Sequence, residues 1–522
     1  MSAFNPISYR HWATAIGRRQ FLRSAAAVAA ILPAGRIWAD ASSARAIPDT
    51  LSVIGGSGKP VTLTARDIRH LRASLRGQLL LAQDDGYDQA RRLWNGAFDR
   101  HPALIVRCES TADVVHAVRF ARTHALLTAV KGGGHSLSGQ SACDGGLMID
   151  LSLMKDIQVD RAQRTARVQP GVLLAELDLK THALGFVTTL GTASDTGVAG
   201  LTLGGGQGRL MRTLGLTCDN VRAFEIVTAN GEVLHVNAQE HPDLFWGLRG
   251  GGGNFGIVTT FEYQLHPLDH PVLAGGRLYP FSQARAVFAA LLELAERAPD
   301  ELYLTGGVSN LTPGGAVPPG RYASIEVMYS GSPTEGERFL APLAKLGKPV
   351  MDSIEAKSYT IAQNGPTGAA PPALPPGLGV YVRSGFLESF PDRLTAEIIH
   401  AFENGPEWLD GIGFGTLAGA VARVKPDATA YWNRGAQWDL ILDGVWLDHS
   451  QDERNARVLR DLWKSFEPFT QGYYVNTEPS AAEQRLRATY GGNYPRLVQL
   501  KNKYDPTNLF RLNANIKPTA SV

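Results

Sequence analysis

Three cysteines in 522 residues, Cys108, Cys143 and Cys218, are too few and too scattered for a disulfide framework. They read as buried thiols, with a single disulfide of unassigned pairing as the other reading in an oxidising compartment. No Cys-x-x-Cys pair or His/Cys cluster has metal-ligand spacing, so no metal site is expected. No run of about 18 or more apolar residues is present, which speaks against a spanning helix. Charge of one sign is missing too: the formal net charge is +2, and no basic run is interleaved with aromatics, so nothing marks a nucleic-acid partner. A Walker loop is excluded because no Gly-Lys-Ser/Thr occurs. A chain that is 44% hydrophobic and 19% charged can still bury a large core, divided over two or more domains, and a small-molecule partner is expected.

Glycine is what the chain has in quantity, and it is clustered. Gly132-Gly133-Gly134-His135-Ser136-Leu137-Ser138-Gly139 brings a backbone free of Cβ atoms next to an imidazole. Such a loop can cradle a pyrophosphate with its N–H groups and offer a nucleophile beside it; the plainer reading is a flexible loop with a solvent-facing histidine. Two further clusters follow, Gly197 to Gly208 and Gly250 to Gly256, and together they suggest a long phosphate-bearing ligand. Gly251-x-Gly253-x-x-Gly256 matches the dinucleotide fingerprint on paper, but β-branched Ile257-Val258-Thr259-Thr260 follows where a helix would have to start. A Rossmann reading therefore fails on context.

Periodicity gives an α+β order. Ile105 to Cys108 reads as a strand, Ser110-Thr111-Ala112-Asp113 opens a helix, and Leu126 to Val130 is a second strand that runs into the histidine loop. Strands follow near 147–151 and 165–168, a helix over 173–182, and a hairpin over 222–236 whose Asn230-Gly231 suits a type I′ turn. Ile257 to Leu265 is the next strand. From about Pro267 the glycine loops stop and Pro/Gly connectors such as 311–320 and 365–379 begin, which suggests a second domain. At the N-terminus, Gly17-Arg18-Arg19-Gln20-Phe21-Leu22-Arg23, the apolar Ser24 to Leu32, and small Ala39 and Ala41 have the order of a twin-arginine signal; an amphipathic helix is the other reading. The signal implies export to the periplasm or beyond.

Several ordered motifs then converge: Lys131 to Gly139, Gly204-Gly205-Gly206-Gln207-Gly208-Arg209-Leu210-Met211-Arg212, Gly215 to Val221, Phe245-Trp246-Gly247-Leu248-Arg249-Gly250-Gly251, and Tyr504-Asp505-Pro506-Thr507-Asn508-Leu509-Phe510-Arg511. From about Trp94 to Pro518 the chain resembles the berberine bridge enzyme-like flavin oxidases of the vanillyl-alcohol oxidase/p-cresol methylhydroxylase superfamily. The resemblance implies an α+β protein with a two-subdomain PCMH-type FAD-binding domain over 94–267. It further implies a substrate domain over 268–489, an antiparallel sheet covered by helices, and a segment over 490–518 that returns to the FAD domain, behind a signal over 1–41.

By the same resemblance His135 carries FAD through the flavin's 8α-methyl carbon; a histidine merely hydrogen-bonded near the flavin is the alternative. Gly132, Gly133, Gly134, Ser136 and Gly139 are expected at the pyrophosphate. Gly200, Gly204, Gly205, Gly206, Asp219, Asn220 and Val258 are expected to line the flavin. Where many relatives have a second, cysteinyl attachment, this chain has Ala193, so the flavin is expected to be singly attached, as in the 6-hydroxynicotine oxidases. Tyr473-Tyr474-Val475-Asn476 matches the family's tyrosine segment, making Tyr474 the first choice for a base and Tyr473 the second, with two packed strand tyrosines as the alternative. A tyrosine often found after the asparagine is Thr477 here. The Ala420 to Tyr431 stretch is read as a mark of the fold, and Arg434 as a surface residue unless it reaches the pocket.

The expected function is an FAD-dependent oxidase that moves hydride from a C–H beside a hydroxyl or amine of a small molecule or sugar to flavin N5, with O₂ reoxidising the flavin to give H₂O₂. The alternatives are a dehydrogenase with another acceptor and a flavin-carrying protein that sequesters a xenobiotic.

Overall fold

The computed structural model describes residues 47–311, 317–365, 377–477 and 482–519. The twin-arginine reading, half of the 311–320 connector and most of the 365–379 connector lie outside these residues. Helices and sheets alternate irregularly along the chain, giving the α+β class.

The first layer is a four-stranded sheet ordered Gln78–Leu80, Leu104–Arg107, Leu147–Asp150, Thr128–Lys131. Its last two pairings are parallel. The helix Thr111–Thr123 joins Leu104–Arg107 to Thr128–Lys131, the two strands that flank Leu147–Asp150, and so lets all three run parallel. Ser110 starts that helix with a reciprocal capping box to Asp113, a device whose Ser→Ala loss costs about 1 kcal/mol. Val114, Ala117, Val118 and Ala121 form its buried stripe. The segment before it, which reads as polar and mixed, holds a hairpin, Thr50–Ile54 with Pro60–Thr64, and the helix Ala65–Ser74.

A five-stranded antiparallel sheet follows, ordered Val233–Asn237, Val221–Thr228, Gly256–Gln264, Thr165–Val168, Ile157–Asp160. The expected hairpin is there, but its turn is not type I′, which needs positive φ at both central residues. Asn230 keeps a negative φ and only Gly231, at +73°, is left-handed. Gly231 N–H donates to the Thr228 carbonyl and Thr228 N–H to that of Glu232, the pattern of a type I turn closed by a glycine bulge.

The third layer is an eight-stranded antiparallel sheet whose main path runs from Met351–Asp352 through Val272–Pro280, Gly320–Tyr329, Leu302–Leu311, Leu409–Thr416 and Trp438–Trp446 to Gly379–Leu387. Helices Ala284–Glu296, Asp392–Glu403 and Asp452–Trp463 bury their apolar stripes against one face, with Phe288, Phe414, Trp438 and Trp463 in the shared core. The other face is left for the site. Helix Tyr494–Tyr504 returns to the five-stranded region, where Tyr494, Leu497 and Leu500 share a core with Phe245, Trp246 and Phe255.

Candidate active site

One large cavity lies between the glycine loops and the open face of the eight-stranded sheet; counting its mouth, it holds about 1820 Å³. One wall is mostly backbone: Gly132 to Ser136 leaving the strand Thr128–Lys131, the loop from Gly191 with the short helix Val198–Leu203 that follows it, and Gly252 to Val258. Phe510, Leu512, Asn513 and Ala514 close the wall from the tail. The opposite wall is side chain: Tyr303, Leu417, Asp439 and Ile441, with Tyr474 to Thr477 between the two.

Close backbone contact explains the glycines at the centre of the first wall. A Cβ on Gly133 would stand 2.6 Å from the Cα and N of Gly197, so the histidine loop and the 190–197 loop can touch only because both positions are bare. At Gly200, in contrast, a Cβ would meet no protein atom within 4 Å: that position faces the cavity itself.

His135 lines the cavity, and its side chain is 6% exposed. Its Nε2 is 3.2 Å from Asp195 Oδ1, and the Trp94 indole donates to Asp195 Oδ2 at 2.9 Å. Trp94 also stacks on the imidazole, ring centres 4.4 Å apart. Burial pushes the Asp195 carboxyl upward, but attraction to the adjoining His135 ring and the hydrogen bonds from His135 and Trp94 outweigh it and hold the group below the usual range.

Of the other residues singled out by sequence, Gly132, Gly133, Gly134, Ser136, Gly200, Val258 and Tyr474 also line the cavity. The rest stand behind it. Gly139 packs on Phe98, Gly204 on the Asn476 side chain, Gly205 on Tyr431 and Gly206 on Thr217. Asp219 is engaged by Arg434, whose Nη1 and Nη2 donate at 2.6 and 2.7 Å. Arg434 is thus no surface residue: its side chain is 1% exposed, and it holds the 215–221 loop to the segment after Tyr431. Asn220 donates to the Leu214 and Leu216 carbonyls and pairs with His266. Tyr473 is buried in the core away from the cavity, with its hydroxyl unpartnered and Arg485 over its ring.

Tyr474 reaches the cavity with its oxygen already engaged: it accepts N–H bonds from Gly206 at 3.0 Å, Gln207 at 3.3 Å and the Asn476 amide at 2.8 Å. Burial still pushes the phenol up to about 12, against those bonds. Asp439 is the opposite case. It is 2% exposed, neither carboxyl oxygen has a hydrogen-bond partner among the described residues, and burial raises it to about 8. An unpaired buried carboxyl at a cavity wall marks a place where a ligand completes the bonding. The sequence carried a weak signal for it: in Trp438-Asp439-Leu440-Ile441-Leu442-Asp443, acids interrupt an otherwise apolar strand, and the period of two places Asp439 and Ile441 on one face.

All three cysteines are free and buried, and none lines the cavity. Ala193 does line it. Among the described residues no His/Cys/Asp/Glu group could hold a metal ion, and no helix is long and apolar enough to cross a membrane.

The bare wall fits a flat, phosphate-bearing cofactor, since its glycines leave backbone rather than side chains against the open space. Comparison with known proteins agrees. The FAD binding domain family matches residues 102–237, and the family described as berberine and berberine like matches 473–517. An FAD-linked oxidoreductase of Dictyostelium discoideum is 33% identical over 449 residues, 85% of this chain and 95% of that protein. (R)-6-hydroxynicotine oxidase of Paenarthrobacter nicotinovorans is 30% identical, over 86% of this chain and 98% of its own. Among solved structures, 6-hydroxy-D-nicotine oxidase from Arthrobacter nicotinovorans superposes with a TM-score of 0.76 at 28% identity, covering 85% of this chain and 98% of that one. A xylooligosaccharide oxidase from Myceliophthora thermophila, in complex with xylobiose, shares the fold with a TM-score of 0.77 at 23% identity, over 88% and 100% of the two chains.

Proposed function

Because this chain belongs to the berberine bridge enzyme-like FAD-linked oxidoreductases, we propose that it is an oxidase removing hydride from a C–H next to a hydroxyl or amine of a small molecule or sugar, with O₂ as the final acceptor. The observation that carries this reading is the cavity with two unlike walls: a glycine-bare side holding His135 and a side-chain side holding an unpaired, raised carboxyl. When bound, FAD supplies the acceptor for the hydride. His135 holds the flavin through one covalent bond. Ala193 offers no thiolate for a second, which supports single attachment.

The chain's own part is orientation and proton transfer. Asp439, near the operating pH, takes the proton from the substrate hydroxyl or amine as the C–H electrons depart. Tyr474 holds the Gly206 and Gln207 N–H groups and Asn476 in place, and so fixes the seam where the two walls meet. Tyr303, Leu417 and Ile441 keep the substrate side largely apolar and exclude water around that proton.

A screen of sugars, amines and benzylic alcohols tests the proposal. The oxidase reading expects the yellow colour to bleach without air and H₂O₂ to form with it. Bleaching without peroxide in air would replace it with a dehydrogenase, and tight binding without bleaching would replace it with a sequestering protein. Colour that stays with denatured wild type and leaves in His135→Ala tests the attachment.

A further inference from the structure

We propose that Asp195, braced by Trp94, is a positioning residue that prepares His135 for attachment: it fixes the proton on Nε2 and leaves the Nδ1 lone pair toward the cavity. The inference rests on the covalent reading above and deepens it. Its first support is local geometry. Asp195 Oδ1 lies 3.2 Å from Nε2, no hydrogen bond engages Nδ1 among the described residues, and the ring borders the cavity. A carboxylate that accepts from one ring nitrogen selects the tautomer in which the other is free to react.

The second support is how the pair is held. Trp94 contacts both members, donating to Asp195 Oδ2 at 2.9 Å and stacking on the imidazole, while its backbone N–H donates to the Gly134 carbonyl at 3.0 Å. Neither ring nor carboxylate can turn without breaking a contact. The third is the loop crossing itself: the bare Gly133 and Gly197 let the two loops touch, and that contact brings residue 195 to residue 135, 60 positions apart. An ion pair serving stability alone has no need of a partner at the cavity edge with its second nitrogen unengaged.

The chemistry balances without another protein group. Attachment makes one N–C bond, from the Nδ1 lone pair to the flavin's 8α carbon. One methyl hydrogen leaves as a proton and its electron pair enters the ring system. Dioxygen then removes that pair, taking two protons and forming H₂O₂. The imidazole, still protonated on Nε2, becomes cationic, and the Asp195 carboxylate balances that charge at 3.2 Å.

The full-length chain, purified from riboflavin-starved cells and given FAD, tests this in wild type, Asp195→Ala and Asp195→Asn. Bound flavin is read by absorbance before denaturation and attached flavin by colour after it. Asp195→Ala is expected to bind FAD yet attach it about 10- to 100-fold more slowly, the range usual for losing a group that orients a histidine. Asp195→Asn, which keeps an acceptor for Trp94, is expected to fall between. In labelled wild type before FAD is added, the ¹⁵N shifts of His135 are expected to show a protonated Nε2 and a bare Nδ1, a signature that a purely structural contact does not require. Attachment at the wild-type rate in a flavin-loaded Asp195→Ala, or an Nδ1–H tautomer in wild type, overturns the proposal. If Asp195→Ala fails to fold, Asp195→Asn and the tautomer signal decide. Wild type that itself loses all colour on denaturation refutes the covalent reading, a different result from wild type that keeps colour while the variants match it.

Discussion

One wall of the cavity presents backbone, from Gly132–His135, Ala193–Leu203 and Gly252–Val258; the other, on the eight-stranded sheet, presents the side chains of Tyr303, Asp439 and Ile441. The difference follows from what each side has to hold. A pyrophosphate and a flat ring are met by N–H groups and bare surface, which tolerate few changes of residue. A substrate is chosen by side chains that stand off a rigid sheet, where alternation sends every second residue to the cavity and the others into the core. A 6-hydroxy-D-nicotine oxidase and a xylooligosaccharide oxidase share this fold.

Asp439→Asn should give the largest effect, striking the side-chain wall alone. It is expected to lower kcat/KM by about 10²- to 10⁴-fold with flavin content unchanged. In wild type kcat/KM should rise with pH through about 8, as the carboxyl ionises, and in the variant that rise should vanish. The sign for stability is opposite. An acid raised from 3.8 to about 8 stays protonated in the folded state while the unfolded chain ionises, so stability falls as pH rises across that window, and Asp439→Asn should lose this slope in thermal melts recorded at pH 5 and 9.

Gly133→Ala strikes the backbone wall where no atom can yield, because the new methyl meets the Gly197 backbone at 2.6 Å. A cost of about 1–3 kcal/mol in folding is expected, together with loss of bound flavin, read as the ratio of visible to ultraviolet absorbance. Equal flavin content in the variant would show that the Gly133–Gly197 contact is not what holds the flavin.

Tyr474→Phe should cost about 1–3 kcal/mol by leaving the Gly206 and Gln207 N–H groups without their acceptor. Tyr473→Phe should leave both stability and turnover close to wild type, since its hydroxyl has no partner and lies away from the cavity. Thermal melts and steady-state rates on the two variants separate them.

Gly200→Ala sharpens the contrast with the smallest change. The position lies in helix Val198–Leu203 with nothing within 4 Å of an added methyl, so the apoprotein should be unchanged or steadier by about 0.5–1 kcal/mol. A weaker hold on FAD, read by flavin titration, would then report ligand contact alone.

Much of the first wall is legible in sequence, because the residues that build it are contiguous. The strand leading to Gly132, the helix capped by Ser110 and Asp113, and the failed Rossmann context at Gly256 are all local patterns. The second wall is not. Asp439 is one acid on one strand, and only its neighbours across the sheet make it unpaired. Arg434 reads as a surface group until Asp219, 215 positions earlier in the chain, is folded against it. The tyrosine pair shows the same limit: Tyr473 joins the core and Tyr474 the cavity, and nothing in the sequence Tyr473-Tyr474 says which one meets the cavity.

Short stretches of chain settle the run of strands and helices over 105–265, the glycine-bare loops, the histidine beside them at residue 135 and the absence of a thiol at residue 193, since each depends on residues close together or on a residue type being present at all. Tertiary structure alone decided which polar groups are satisfied: it set Asp195 against His135, closed Arg434 on Asp219, filled the bonds of the Tyr474 oxygen and left Asp439 with none. Hydrogen bonding and desolvation depend on distances between segments far apart in the chain, and those distances exist only once the sheets have packed.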